Sequence, residues 1–89
     1  MTAEEIVHEH PHPFRGYNVF ILGAERGDGT WSGWLEFVPG NGGRRLRTGH
    51  ETSQPSRDAL VYWATGLEDV YLEGALARAT GAPTVAAAS

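Results

Sequence analysis

The stretch Tyr17-Asn18-Val19-Phe20-Ile21-Leu22 carries the clearest structural signal in this chain of 89 residues. It is rich in β-branched and aromatic residues, and a glycine bounds it on each side, at Gly16 and Gly23. Such residues favour a pleated, half-buried backbone, so the stretch predicts a first β-strand over residues 17–23.

Two turn signals after this strand predict an antiparallel meander. Arg26-Gly27-Asp28-Gly29 supplies two glycines that tolerate positive φ, and it leads into a second strand over residues 30–38. Asn41-Gly42 is a strong hairpin signal, and it leads into a polar third strand over residues 44–51. Because side chains alternate along a strand, the second strand has two distinct faces. One carries Trp31, Leu35 and Phe37, and the other carries Thr30, Ser32, Trp34 and Glu36.

The spacing of the apolar residues changes after Pro55 from that of a strand to that of a helix. Apolar residues recur at intervals of three and four, which lays one stripe along a helix over residues 55–65. The stripe consists of Ala59, Leu60, Trp63, Ala64 and Leu67. Residues 68–79 begin with acids, end near an arginine and are rich in alanine and leucine, so they predict a second helix. A short strand over residues 70–72 is the alternative.

These elements predict an α+β fold, in which a three-stranded antiparallel β-meander is followed by one or two C-terminal helices packed on the sheet. The domain is expected to span residues 14–79. Residues 1–13 are predicted to be a flexible arm that contains histidines, because two prolines preclude a continuing helix. Residues 80–89 are predicted to be a disordered tail, because their small side chains bury too little apolar area to offset the entropy of ordering.

Composition excludes several classes of chemistry. The chain has no cysteine, which rules out thiol nucleophiles, Fe–S clusters and Cys-type zinc sites. It has no lysine, which rules out a P-loop lysine and Schiff-base mechanisms. The net charge of −4 argues mildly against a nucleic-acid backbone as the main partner. No apolar run approaches the roughly 18 residues of a membrane span, and the start is acidic, so we expect a cytoplasmic protein without a membrane contact.

The first strand is apolar on both sides, which predicts that something covers each face of its sheet. Phe20, Leu22 and Trp34 form the cluster on the face that the principal helix does not cover. One possibility is that the second helix covers them from within the chain. The other is a homodimer or partner interface, because an exposed apolar cluster on so small a protein favours association. We predict a homodimer through these three residues.

Two weaker candidate sites involve basic and metal-ligating side chains. Arg44, Arg45 and Arg47, together with nearby aromatics, have the composition of a single-stranded nucleic-acid surface, although interspersed acids cancel much of the charge. Histidines recur at every second position at His8, His10 and His12, a spacing that can place three imidazoles on one side of an extended chain to bind Zn²⁺ or Ni²⁺. A solvated arm is the simpler interpretation of the histidines.

A catalytic interpretation of His50-Glu51-Thr52-Ser53 is weaker still. Adjacent residues of a strand point to opposite faces, so His50 and Glu51 are not expected to cooperate. The hydroxyl groups suit capping and turns. We therefore expect a non-enzymatic interaction or regulatory module, and no cofactor is predicted.

The order of elements carries one family resemblance. A strand, a hairpin, a Pro39-Gly40 turn, a third strand that reaches Thr48-Gly49-His50-Glu51-Thr52, and a helix with spaced alanines follow one another. Over about residues 17–67 this arrangement resembles that of HicB-type antitoxin domains. The resemblance implies a protein that binds and masks a small toxin ribonuclease.

Overall fold

The computed structural model of the protein describes residues 3–81. Five strands precede two helices along the chain. They are β1 (Glu5–Glu9), β2 (Tyr17–Glu25), β3 (Trp31–Pro39), β4 (Leu46–Arg47), β5 (Thr52–Gln54), α1 (Arg57–Thr65) and α2 (Asp69–Thr80). This is the predicted α+β fold, an antiparallel meander followed by two C-terminal helices, and residues 69–80 are helical rather than extended. Residues 82–89 of the predicted tail lie outside the described residues.

The sheet is built around the hairpin of β2 and β3. These two strands pair antiparallel over their whole lengths, from Tyr17 opposite Pro39 to Glu25 opposite Trp31. The strand order is β1-β2-β3-β4, and β5 also pairs with β3. In the described part of the chain, no helix combines the length and apolar character needed to cross a membrane.

The sheet has an additional strand at its N-terminal side, where the sequence suggested an arm. Glu5–Glu9 forms β1 and pairs antiparallel with β2, so the flexible arm predicted over residues 1–13 is corrected at these positions. An irregularity in register between Ile6 and His8 accommodates Val7, which packs against the core. The prolines of the arm follow this strand and therefore do not interrupt it. The remaining division into arm, domain and tail stays a prediction.

The third predicted strand, over residues 44–51, is corrected to two short strands that flank Thr48. Thr48 is buried, and its backbone N–H donates to the Leu35 carbonyl oxygen at 2.9 Å. Its hydroxyl oxygen accepts a hydrogen bond from the Leu35 N–H at 3.0 Å. The side chain of Thr48 thus satisfies a strand N–H where the ladder is interrupted, and β5 resumes the pairing with β3 beyond it.

Both helices pack on the same face of the sheet. The fully buried side chains of Val19, Ile21, Leu35 and Phe37 belong to one core cluster with residues of both helices. The helical members of this cluster are Ala64, Leu72 and Ala75. Trp63 and Leu67 pack at its margin and are only partly buried, whereas Leu60 is fully buried over Gly23 and Gly33.

Candidate functional site

The face of the sheet opposite the helices is not covered by either helix. We term it the open face and define it by Ile6, Phe20, Leu22, Trp34 and Glu36. These side chains alternate with the core residues of β2 and β3, so they point away from α1 and α2. The alternative in which the second helix covers this cluster does not hold, because Leu72 and Ala75 of α2 pack in the core on the other face.

The apolar part of the open face is a row of side chains that crosses three strands. In register, Leu22 lies between Ile6 of β1 and Trp34 of β3. Leu22 is only 4% exposed, whereas Ile6 is 56% exposed. Leu22 was expected to contact a partner, but it is buried between its neighbours on the adjacent strands. Phe20 and Trp34 remain partly exposed to solvent.

An ion pair crosses this row. Arg47 of β4 donates to both carboxylate oxygens of Glu4, at 3.0 and 2.9 Å, although these residues belong to opposite sides of the sheet. Hydrogen bonding to Glu4 is the main cause that raises the pKa of Arg47. The guanidinium carbon lies 5.9 Å from the centre of a Trp34 ring, within the range of a cation–π contact. This Glu4–Arg47 strap shields the middle of the open face.

Trp34 is the one described side chain with a buried polar atom that lacks a hydrogen-bond partner. Its indole Nε1 is fully covered, and nothing within residues 3–81 accepts its proton. An unpaired buried donor costs free energy, on the order of 1–3 kcal/mol. Trp34 therefore has both apolar area and an unsatisfied N–H at the centre of the candidate surface.

The arginines proposed for nucleic-acid contact lie at one side of the open face, next to carboxylates. Arg47 is engaged by Glu4 and also lies 3.4 Å from Glu36, and Arg45 lies 3.8 Å from Glu36. Arg44 forms no ion pair within the described residues. Neighbouring acids compensate two of the three charges, which weakens the field that a phosphate backbone needs.

The N-terminal histidines are placed near one another but do not form a metal centre. His8 lies in β1, and the backbone N–H of His10 donates to the Val19 carbonyl oxygen at 2.9 Å. Burial lowers the pKa of His10, and the nearby His12 and His8 lower it further. Across residues 3–81, no three side chains of the metal-ligating types converge closely enough to hold an ion. The metal hypothesis thus has no geometric support.

The four-residue stretch considered for catalysis is divided between two environments. His50 Nε2 lies 2.9 Å from Ser53 Oγ, a contact between a base and a hydroxyl. Glu51 points elsewhere, and its carboxylate accepts hydrogen bonds from Tyr71 and Arg78. No carboxylate is therefore placed to orient the His50 imidazole for catalysis. The described residues also form no pocket.

We term Glu51, Tyr71 and Arg78 the Glu51 network. Arg78 donates to Glu51 from Nε at 2.9 Å and from Nη2 at 2.8 Å, and the Tyr71 hydroxyl donates to the same carboxylate. The Tyr71 ring also stacks edge-on against Trp63, with centroids 5.6 Å apart. The network attaches α2 to the segment before β5.

The network predicts an alkaline dependence of stability. Burial, followed by the hydrogen bond to Glu51, raises the pKa of Tyr71 to about 12 from its ordinary value of 10.0. A group whose pKa is raised by folding stabilises the protein below its unfolded-state pKa and loses that contribution as pH rises through the folded value. The urea concentration at the midpoint of unfolding should therefore decrease as the pH is raised from 10 to 12. A Tyr71→Phe variant should show a smaller decline, and equal declines would contradict the assignment.

Sequence reasoning missed Glu4 and Ile6, because prolines later in the arm obscured the alternation of Ile6 and Val7 between the two faces. It also missed Arg26 as a neighbour of Ser53, since only the β2–β3 pairing brings them together.

Comparisons with protein-family models, with curated proteins and with solved structures gave no match to this chain. The HicB resemblance therefore remains a prediction.

Proposed function

We propose that this protein is a small, non-enzymatic interaction module of the cytoplasm, which forms a homodimer through the open face. One observation carries the proposal. Both helices pack on one side of the sheet, while Phe20, Trp34 and Ile6 lie on the other with no helix over them. Partly exposed aromatic side chains at the centre of such a surface are the typical anchors of a protein interface.

The charges that flank the apolar row favour a second copy as the partner. Glu4 and Glu9 belong to the β1 side of the open face, and Arg45 and Arg47 belong to the β4 side. A twofold axis parallel to the strands would place the β1 side of each copy over the β4 side of the other. Acids would then meet arginines on both flanks, with the apolar rows in contact between them.

The Glu4–Arg47 strap is compatible with this arrangement, because both of its side chains are more than two-fifths exposed. Exposed ion pairs stabilise by about 0.2–1 kcal/mol, and the two-point geometry of this pair places it toward the upper end of that range. In the dimer, each residue would exchange its partner within the chain for one in the other copy. The charges stay paired, and the exchange uncovers Trp34.

The same geometry supports the non-enzymatic part of this proposal. The pair of His50 and Ser53 has no orienting carboxylate, since Glu51 is held by Tyr71 and Arg78. An activated serine requires a base whose ring is itself held in place. The contact between His50 and Ser53 is therefore better explained by binding or local structure than by nucleophilic catalysis.

The test is the oligomeric state of a Trp34→Glu variant. We expect the wild type to sediment as a dimer at ~100 µM and the variant as a folded monomer, because a buried carboxylate at the centre of an apolar interface is strongly unfavourable. Circular dichroism checks the fold. Tyr62→Glu is the matched control, since Tyr62 is 81% exposed on α1 at the other side of the molecule and should leave the dimer intact.

Three results would overturn the proposal. The first is a wild-type monomer at ~100 µM. The second is a Trp34→Glu chain that does not fold, which would make Trp34 part of the core. The third is loss of the dimer in Tyr62→Glu but not in Trp34→Glu, which would place the interface on the helices.

A further inference from the structure

A second group of polar side chains lies at the end of the open face that is far from β4. We term Arg26, Ser32, His50 and Ser53 the serine cluster. Ser32 of β3 is directly opposite Ser53 of β5, and both alternate onto the open face. Ser53 Oγ lies 3.4 Å from a guanidinium nitrogen of Arg26 and 2.9 Å from His50 Nε2, and Ser32 Oγ lies 3.5 Å from the same nitrogen.

The β2–β3 turn holds the backbone of Arg26 in place. Its N–H donates to the Thr30 carbonyl oxygen at 2.7 Å, and its own carbonyl oxygen accepts from the Gly29 N–H at 3.1 Å. Asp28 closes the turn by accepting hydrogen bonds from the Thr30 N–H at 3.0 Å and from its hydroxyl at 2.6 Å. Gly29 has a φ of +89°, which other residues rarely adopt. The guanidinium therefore extends from an ordered turn.

Arg26 differs from most arginines of the protein in its charge environment. Five others pair with a glutamate within 4 Å: Arg15, Arg45, Arg47, Arg57 and Arg78. Within residues 3–81, Arg26 has no such pair, and its side-chain hydrogen bonds go only to hydroxyl groups. Asp28 is its charged neighbour and offsets part of its charge, but the Asp28 carboxylate is hydrogen-bonded to Thr30 and forms no ion pair with Arg26. The guanidinium of Arg26 therefore has N–H groups that no carboxylate in the described residues occupies.

We propose that the serine cluster binds a phosphate group, either as inorganic phosphate or as the phosphate of a small monoester. A tetrahedral oxyanion accepts hydrogen bonds from several directions, and this cluster offers a guanidinium, two hydroxyls and an imidazole from four segments of the chain. The guanidinium supplies the charge that makes such hydrogen bonds strong. The four side chains of the cluster lie on the open face but are not those of the apolar row, so the evidence for phosphate binding is separate from the evidence for the dimer.

The two sources of the phosphate can be distinguished by comparing inorganic phosphate with a nucleoside 5′-monophosphate. The monoester carries an organic group that can make further contacts beside the cluster, whereas inorganic phosphate does not. Tighter binding of the nucleotide would identify an organic ligand, and equal binding would show that the phosphate alone is recognised.

The experiment is a titration of the full chain, labelled with ¹⁵N, at constant ionic strength. The probes are inorganic phosphate and a nucleoside 5′-monophosphate. We expect amide shifts in residues 26–32 and 50–53 that saturate with a dissociation constant of about 1 mM. The Arg26→Gln variant should bind about tenfold more weakly, since it loses the charged donor.

Arg44→Gln is the matched control, because Arg44 is another arginine without an ion pair in the described chain and lies away from the cluster, in the connection between β3 and β4. It should bind phosphate within about twofold of the wild type. Ser53→Ala tests the cluster independently of charge and should also weaken binding. Absence of shifts up to about 20 mM of both probes, or equal weakening in Arg26→Gln and Arg44→Gln, would overturn the proposal.

Discussion

The Leu60→Ala variant is expected to lose about 2–5 kcal/mol of unfolding free energy, the range for removing a buried leucine. Leu60 is fully buried, and it is the α1 side chain that packs into the sheet where two glycines face each other. Gly23 and Gly33 are directly opposite in the register of β2 and β3. Urea unfolding followed by circular dichroism measures the loss. A loss below about 1 kcal/mol would show that α1 does not pack here.

The two glycines leave the space that the Leu60 side chain fills. Combining a Gly33 variant with Leu60→Ala therefore tests this packing. A Cβ at Gly33 would lie 2.5 Å from Leu60 Cδ1, which is too close for carbon atoms. Gly33→Ala alone should therefore destabilise by about 1–3 kcal/mol through overpacking. When Leu60 is already alanine the closest clash is gone and only a tight contact of 3.0 Å with Thr52 Cγ2 is left, so the double variant should lose less than the sum of the single losses.

Gly27→Ala is the matched control for the glycine variant. Gly27 lies in the β2–β3 turn, and an added Cβ would meet nothing within 4 Å. Its unfolding free energy should change by less than about 0.5 kcal/mol. Additive losses in the Gly33 and Leu60 double variant would contradict the packing of Leu60 on this glycine pair.

Local sequence signals were sufficient for the central hairpin and the helices. Residues 17–22 combine β-propensity with flanking glycines, and the interval of three and four residues from Ala59 onward sets the helical face. Prediction failed where pairing partners, rather than local preference, decide the structure. Glu5–Glu9 is a strand because the edge of β2 is available to pair with it. Thr48 interrupts the ladder because its hydroxyl takes the place of a backbone acceptor.

The candidate surface shows the same limit. Alternation along β2 and β3 was enough to place Phe20, Leu22 and Trp34 on one face. The sequence did not determine which face of the sheet the second helix packs on, because a connection after Gly66 can reach either face. Glu4 and Arg47 are 43 residues apart, so their pairing above Trp34 required the full strand order. Contacts between distant residues that depend on topology were thus the part that sequence could not supply.

The Glu51 network is a second place where distant residues determine stability. The Glu51 side chain is 6% exposed and accepts two hydrogen bonds from Arg78 and one from Tyr71. Burial by itself would raise the pKa of Glu51, but the hydrogen bonds from Arg78 and Tyr71 together outweigh it, and the pKa is lowered from its ordinary value of 4.5. Folding therefore favours the charged carboxylate.

The Glu51→Ala variant is expected to lose about 2–3 kcal/mol of unfolding free energy at neutral pH, because hydrogen bonds to a buried charge are among the stronger ones and the Tyr71 hydroxyl is left without its acceptor. Because the Arg78 side chain is exposed, the loss of unfolding free energy should be smaller than that for breaking a fully buried ion pair. Urea unfolding at pH 7 gives the loss. The matched control is Glu73→Ala, which removes a glutamate paired with Arg15 on the surface and should cost at most about 1 kcal/mol.

The same variant tests the link between this carboxylate and acid stability. A carboxyl group whose pKa is lowered by folding stabilises the protein above its unfolded-state pKa, and the contribution is lost as pH falls through the folded value. The difference in unfolding free energy between the wild type and Glu51→Ala should therefore be constant near neutrality and shrink as pH falls below about 4.5. The difference for Glu73→Ala should stay small throughout. If the Glu51→Ala difference were the same at pH 7 and at low pH, the stabilisation would come from packing of the side chain and not from its charge.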